Sequence, residues 1–433
     1  MTTITNSRHS MTSIQLPLTI RSYLSKRSFS GPWQISDSVS EAYSGAVVIP
    51  SLAESSNLVQ TLQSLSCNPA EQLSNFMILV VVNNRDDAVA SEKEDNLLTL
   101  RMLPEWKQQF GLEHLYWVDA ASTGKELPEK QGVGLSRKIG MDLALSSLDY
   151  SCCDPLLICL DADTLVQPDY LEAIKRHFST AAAGGASIGY RHRPSCDPRG
   201  QAVIDRYELF LRTYVLGLEL AGSPYAFHTV GSAMACRALS YVNAGGMNRR
   251  LAGEDFYFLQ QLHKTAGVAN LKGTLVHPSP RSSNRVPFGT GRAVGDMLTD
   301  GDDRLLFYQP ELFEVVGNWL ICVTENQGAD GNTLLDLSGA ISPYLKEFME
   351  QAGFVGAWDG MKKNNPDAKR MLTAFHSWFD AFRTMRLMHH LTDNGYPRIQ
   401  PEAAVPPLLK RAGQDGPVTV AGMLERLRVM QGC

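Results

Sequence analysis

Two short acidic clusters and a histidine hold the residue types that could do chemistry in this sequence. Asp161-Ala162-Asp163 follows the apolar run Leu156 to Leu160 and precedes Pro168, with Tyr170, Leu171 and Ile174 opening a helical pattern. Carboxylates two residues apart at a strand end can face one crevice. Two close anions repel, so one takes up a proton unless a cation is present. Oxygen ligands suit Mg²⁺ or Mn²⁺, and such an ion would neutralise a leaving group of the nucleoside diphosphate kind. A turn with an Asp cap before a helix is the competing reading of the same residues.

The second cluster is Glu254-Asp255, which follows Gly245-Gly246-Met247-Asn248 and Gly253 and opens the helix expected over Phe256 to Leu262. The positive end of the helix dipole favours an ionised carboxylate there. Asp255 could accept a proton from a hydroxyl, a contribution of roughly 10²- to 10⁴-fold; plain helix capping competes. Third, Leu275-Val276-His277-Pro278 is a short strand ending in a histidine whose neutral imidazole could complete a metal site with Asp163. Arg281, Arg285 and Arg292 then flank Phe288-Gly289-Thr290-Gly291. Guanidiniums bind phosphate in bidentate fashion, although a solvated basic loop would have the same composition.

The elements that must position these groups are legible upstream. Ala46-Val47-Val48-Ile49 reads as a buried strand stopped by Pro50, and Leu58, Leu62 and Leu65 form a helical stripe. Phe76 to Val82 is a second strand broken by Asn83-Asn84, and Leu115 to Val118 a third. Gly132 to Lys138 opens a helix running through Ile139, Leu143 and Leu145, and Leu156 to Leu160 is the next strand. Strand-helix alternation with continuously apolar strands predicts a parallel sheet with helices on both faces. Ligands bind such sheets outside the carboxyl ends of the strands, where Glu54, Asn83, Asn84, Asp119 and Asp161 all fall. Past Arg281, Ser282 to Gly295 reads as a loop; Phe375, Trp378, Phe379, Phe382, Met385 and Met388 form a helical stripe; a short helix is expected around Met423 to Val429.

Composition sets the bounds. With 433 residues, 44% hydrophobic and 20% charged, the chain is a folded protein of two or three domains. A net charge of −5 gives no reason to expect nucleic acid, so an anionic ligand needs a local basic cluster or a metal. Eight cysteines without a CxxC pair predict a reducing, cytoplasmic compartment. The longest apolar run, Phe76 to Val82, is far too short to span a bilayer. Arg8, Arg21, Lys26 and Arg27 mark an N-terminal arm expected on the surface. Weak peripheral attraction to anionic lipid, roughly 1 kcal/mol per basic residue, stays open beside that reading.

Taken in order, the motifs from Ala46 to His277 resemble those of family 2 glycosyltransferases and related GT-A enzymes. The pieces are Val48-Ile49-Pro50 with Glu54, Val81-Val82-Asn83-Asn84, Gly134-x-x-Arg137, Leu160-Asp161-Ala162-Asp163, Gly245-Gly246 and Glu254-Asp255. The resemblance implies a GT-A α/β fold, a doubly wound sheet with a mainly helical C-terminal subdomain. It divides the chain into an arm (1–40), a catalytic domain (41–280), an Arg/Gly-rich active-site loop (281–304) and a helical subdomain (305–433). It implies a nucleotide-sugar donor bordered by Pro50, Glu54 and Asn83. Arg137 would hold the base or diphosphate; by their own chemistry Arg281, Arg285 and Arg292 could close over a diphosphate or an anionic acceptor. Asp161 would contact ribose and metal, Asp163 and His277 would ligate Mn²⁺ or Mg²⁺, and Asp255 would be the base with Glu254 beside it. His228 falls where GT-A enzymes often shape the acceptor pocket. Two departures stand out. Asn83-Asn84 replaces the family's Asp-Asp, and the Gln-x-x-Arg-Trp motif of processive synthases is missing, so single transfer to a hydroxyl acceptor is expected. Inverting transfer leads; retaining transfer to a small anionic acceptor and a GT-A-like binding protein without chemistry remain as alternatives.

Overall fold

The computed structural model describes residues 16–39, 41–281, 290–300, 305–365, 367–416 and 418–433. Among them eight strands form one sheet: β1 (Gly45–Ser51), β2 (Phe76–Asn83), β3 (Leu115–Ala120), β4 (Leu156–Cys159), β5 (Leu165–Val166), β6 (Gly185–Tyr190), β7 (Met234–Arg237) and β8 (Val268–His277). Their spatial order is β3-β2-β1-β4-β7-β6-β8-β5. Side chains alternate across a strand, and both faces are covered. Val47, Ile49, Val80 and Val82 pack with Leu58, Leu62 and Leu103, while Ala46, Val48, Leu79 and Val81 pack with Leu135, Ile139, Tyr241 and Leu259. The α/β, doubly wound sheet expected from the sequence is present.

The structure differs from the sequence reading at identifiable points. The sheet is mixed, because β7 runs antiparallel to both β4 and β6. Pro50 lies inside β1, opposite Val81 of β2. Val48 O accepts from Leu160 N on the β4 side, so Pro50, two residues on, turns its nitrogen to that same side. The β1–β4 ladder has ended there, at Val48 opposite Cys159, and no bond is lost. The polar stretch after Asn84 contains a 20-residue helix, Ala90–Gln109. Part of the expected active-site loop, Thr290–Asp300, is helical: Val294 and Met297, three apart, pack on Val203 and Ile204. The aromatic stripe is split between Ala368–Trp378 and Ala381–Asn394, because Asp380 accepts from Arg383 N and caps a second helix.

Helices from Pro310 to Met430 share one core, into which Leu209, Leu216 and Leu218 of the helix Pro198–Leu220 also pack. No helix among the described residues is long and apolar enough to cross a membrane.

Residues 16–39 of the expected arm are docked. Ile20, Tyr23 and Trp33 are buried. Tyr23 Oη donates to Asp142 Oδ1 (2.9 Å) and accepts from Lys138 Nζ (2.6 Å). Gly246 has φ +77°, and a Cβ there would overlap the Tyr23 hydroxyl. The second glycine of Gly245-Gly246 therefore serves both a left-handed backbone and the seat of this tyrosine. Gly246→Ala is expected to cost about 2 kcal/mol or more and to expose the bonds after Lys26 and Arg27 to trypsin. Gly222→Ala, at φ +69° with open space around it, should bear the backbone part alone and leave those bonds protected.

Candidate functional site

The acidic motifs meet at the carboxyl ends of β1, β2 and β4. After β4 the chain turns tightly, Thr164 N donating to Asp161 O (3.1 Å). Ala162 is buried and its carbonyl accepts from Thr61 Oγ1 (2.8 Å). The turn that competed with the catalytic reading is thus real, and it presents a carboxylate on each side of a buried alanine.

Arg137 organises one half of the site. It lies one turn into the helix Val133–Ala144. A Cβ on Gly134 would meet Asn248 O at 2.7 Å and Arg250 O at 2.6 Å, and one on Gly231 would meet Arg137 Nη2 at 2.5 Å. Gly134 thus lets the helix abut the 248–250 segment, and Gly231 leaves room for the guanidinium. Arg137, 2% exposed, donates through Nη2 to Asp161 Oδ1 (2.5 Å) and through Nε to Glu254 Oε1 (3.1 Å). Burial alone would lower its pKa; Asp161 and Glu254 more than offset this, and the net shift is upward. Its Nη1 is buried without a partner.

Gly253, at φ +69°, starts the helix Glu254–Ala266. Asp255 Oδ1 accepts from Phe256 N (2.7 Å), the next residue of the same first turn. One guanidinium here faces Asp161, Glu254 and Asp255 together. The charge imbalance has the consequence expected of crowded anions. Burial, and then the charge of Glu254, push the Asp255 carboxyl up to about 7. Glu254 is also raised, by burial and against Arg137.

The other half is built around Arg281, which donates to Asp163 Oδ2 through Nε (3.0 Å) and to Glu54 Oε1 through Nη2. Burial, with the charges of Asp161 and Glu54, pushes Asp163 up to about 6 against the pull of Arg281. Glu54 is buried at the start of the helix Ser55–Ser66 and also accepts from Asn57 Nδ2 (2.8 Å). Pro50 and Asn83 lie buried at the ends of β1 and β2, and Asn83 Oδ1 accepts from Ser136 Oγ (2.7 Å). Asn84 is fully engaged, with Asn96 and the Arg85 carbonyl.

The expected metal trio is not assembled. Among the described residues no three His, Cys, Asp or Glu side chains come together to hold a metal ion. Asp161 is neutralised by Arg137 and Asp163 by Arg281. His277 ends β8, where its Nδ1 bonds the Arg191 carbonyl (3.1 Å). Burial and the charges of Arg191 and Arg193 lower its pKa. Arg285 lies outside the described residues.

Two members were missed from sequence. Arg193 Nη2 donates to the Asp163 carbonyl (3.1 Å). It follows the carboxyl end of β6, so the strand-end rule that selected Asp161 would have found it. Asn96 binds Ala53 N, Asn83 O and Asn84 Oδ1 from within its helix; nothing in the sequence marks it, since its burial comes only from packing.

The sequence matches no protein-family model and no curated protein. Solved structures do resemble it. TarS from S. aureus is 10% identical, over 77% of this chain and 90% of its own, at a TM-score of 0.38. The mannosyltransferase PcManGT from Pyrobaculum calidifontis, solved with GDP-Man and Mn²⁺, is 11% identical over 86% and 90%, at 0.37. Glucosyl-3-phosphoglycerate synthase from Mycobacterium tuberculosis, with Mn²⁺, UDP and glucosyl-3-phosphoglycerate, is 13% identical over 59% and 74%, at 0.32. At such identities and scores these are distant likenesses, and the chain's chemistry is read from its own side chains.

Proposed function

We propose that this chain is a GT-A glycosyltransferase, moving a sugar from a nucleoside-diphosphate donor to an acceptor hydroxyl with inversion and with Asp255 as the base. The observation that carries the reading is the placement of Asp255 at a helix start, beside the Glu254 and Asp161 carboxylates that Arg137 bridges; this crowding and burial push its carboxyl up to about 7. A base is most effective when its pKa lies near the working pH. In the step, the acceptor O–H proton passes to Asp255 as the oxygen bonds the anomeric carbon. The bond from that carbon to the diphosphate oxygen breaks, and its electron pair leaves with the diphosphate.

Glu254 is engaged by Arg137, so its role is to position the helix start. Arg281 and Arg193 stand beside Asp163, and Arg137 keeps its buried Nη1 without a partner among the described residues; these are the donors we assign to the diphosphate. Pro50, Glu54 and Asn83 border the nucleoside. The Asp161, Asp163 and His277 trio does not fit a metal as it stands, and no step is routed through one. Eight free thiols fit a reducing, cytoplasmic setting.

The test is a thermal-shift screen of UDP, GDP, ADP, CDP and dTDP, each with EDTA, Mn²⁺ or Mg²⁺, followed by proton NMR of the product. At a hundredfold excess over Kd the right diphosphate adds about 2.7 kcal/mol. A gain seen with Mn²⁺ or Mg²⁺ but not EDTA would assign the cofactor. No shift with any diphosphate, together with no hydrolysis of any nucleotide sugar, overturns the enzyme reading. A product that keeps the donor's anomeric configuration overturns inversion.

A further inference from the structure

A small cleft, open to solvent, adjoins the Asp255 side of the site. Its walls include Leu211, Tyr214 and Leu218 of the helix Pro198–Leu220, with Phe227 and Phe256. Two of its segments are shared with the proposed chemistry. Phe256 is the residue after Asp255. Val230, also in the lining, precedes Gly231, whose Cβ would lie 3.4 Å from Asp255 Oδ2.

Among the described residues no Lys, Arg, Asp or Glu lines this cleft. Its one titratable ring with a pKa near neutrality, His228, is pushed down to about 4 by burial and the Arg212 charge. Gln431 Nε2 donates to the Arg212 carbonyl (3.1 Å), which turns Gln431 Oε1 toward Arg212 Nη1 (2.9 Å) and His228 Nε2 (3.1 Å). An oxygen there requires His228 Nε2 to donate; because burial keeps the ring neutral, its lone pair is on Nδ1. A carboxylate or phosphate entering the cleft would shed water and meet no cation, which is unfavourable. An apolar body entering it gains from burial.

We propose that this cleft takes the alkyl or aryl body of the acceptor, an alcohol with an apolar aglycone, and hands its hydroxyl to Asp255. The inference rests on the glycosyl-transfer reading and argues against the small anionic acceptor that the sequence left open. Two measurements test it separately from that reading. In transfer, the homologous series from 1-propanol to 1-hexanol is expected to gain about fourfold in kcat/KM per methylene, the factor that about 0.8 kcal/mol per buried CH₂ corresponds to. In binding, 1-hexanol is expected to give saturation-transfer NMR signals with the whole protein. Ala381→Phe, which fills the cleft from its rim, should weaken that binding at least tenfold while leaving the diphosphate thermal shift unchanged. Should Ala381→Phe not fold, Thr229→Leu serves the same purpose.

A flat alkanol series, D-glycerate outperforming 1-hexanol, or hexanol binding that neither variant disturbs would each overturn the proposal. Hexanol binding that is lost on filling the cleft, in a protein that binds no diphosphate, would support the apolar cleft and refute the transfer reading instead.

Discussion

Asp255→Asn is expected to lower kcat by roughly 10²- to 10⁴-fold and, above pH 7, to make the fold more stable. The asparagine keeps the oxygen that accepts from Phe256 N, so that bond survives while the base is lost. The stability gain follows from linkage. Burial and Glu254 raise the folded-state carboxyl to about 7, whereas in the unfolded chain it releases its proton near pH 4. Between those values the native state holds more protons than the unfolded one. This group's contribution is therefore fully present below about pH 4 and is lost as pH rises through 7. Three pKa units correspond to roughly 4 kcal/mol, an upper figure because Glu254 shares the repulsion. Urea unfolding at pH 4, 6 and 8 should show the variant equal to wild type at pH 4 and more stable by roughly 2–4 kcal/mol at pH 8. Parallel stability curves for the two proteins would refute the assignment. For the same reason wild-type kcat/KM should rise with pH through about 7, since the base must be ionised to act.

Arg137→Met should have the opposite effect on stability. Removing one partner of a buried ion pair typically costs about 3–5 kcal/mol, because the charge left behind has neither water nor counter-ion. Here two carboxylates lose their partner at once: Glu254 is buried and bears that cost, while the partly exposed Asp161 keeps contact with water and adds less. Folded proteins hold only about 5–15 kcal/mol in total, so the variant should be barely folded. Arg137→Lys is not conservative, since an ammonium presents one point charge where the guanidinium spans two acids. Adding Glu254→Gln to Arg137→Met should recover a measurable part of the loss. If the double variant is no more stable than Arg137→Met, uncompensated Glu254 charge is not the cause. Diphosphate binding should stay impaired in the double variant, because the guanidinium assigned to the diphosphate is gone.

Local elements were legible wherever one residue's environment repeats along the chain. The apolar runs of β1, β2 and β4 and the stripe Leu58, Leu62, Leu65 declare burial by periodicity, and the strand-end rule then selects Glu54, Asn83 and Asp161. The errors share a cause. At Pro50, the helix Thr290–Asp300 and the break at Asp380, residue type points one way while the outcome depends on a neighbour: a ladder already ended, an apolar partner at Val203, the Arg383 N–H that Asp380 accepts. The docked N-terminal helix Leu18–Arg27 belongs here too, because Tyr23 is polar and unremarkable until Gly246 makes room for it.

By itself, the sequence determined that Asp161-Ala162-Asp163 and Glu254-Asp255 would stand at a strand end and a helix start, since short-range sterics and hydrogen bonding set those positions. Only the tertiary structure decided what each carboxylate faces. Arg137 is 24 residues from Asp161 and 117 from Glu254, and Arg281 is 118 from Asp163. Electrostatics acts through distances of a few ångströms that chain separation does not encode. That is why the acids meet arginines where a metal trio was expected, and why the crowding of negative charge is relieved by a proton held on Asp255.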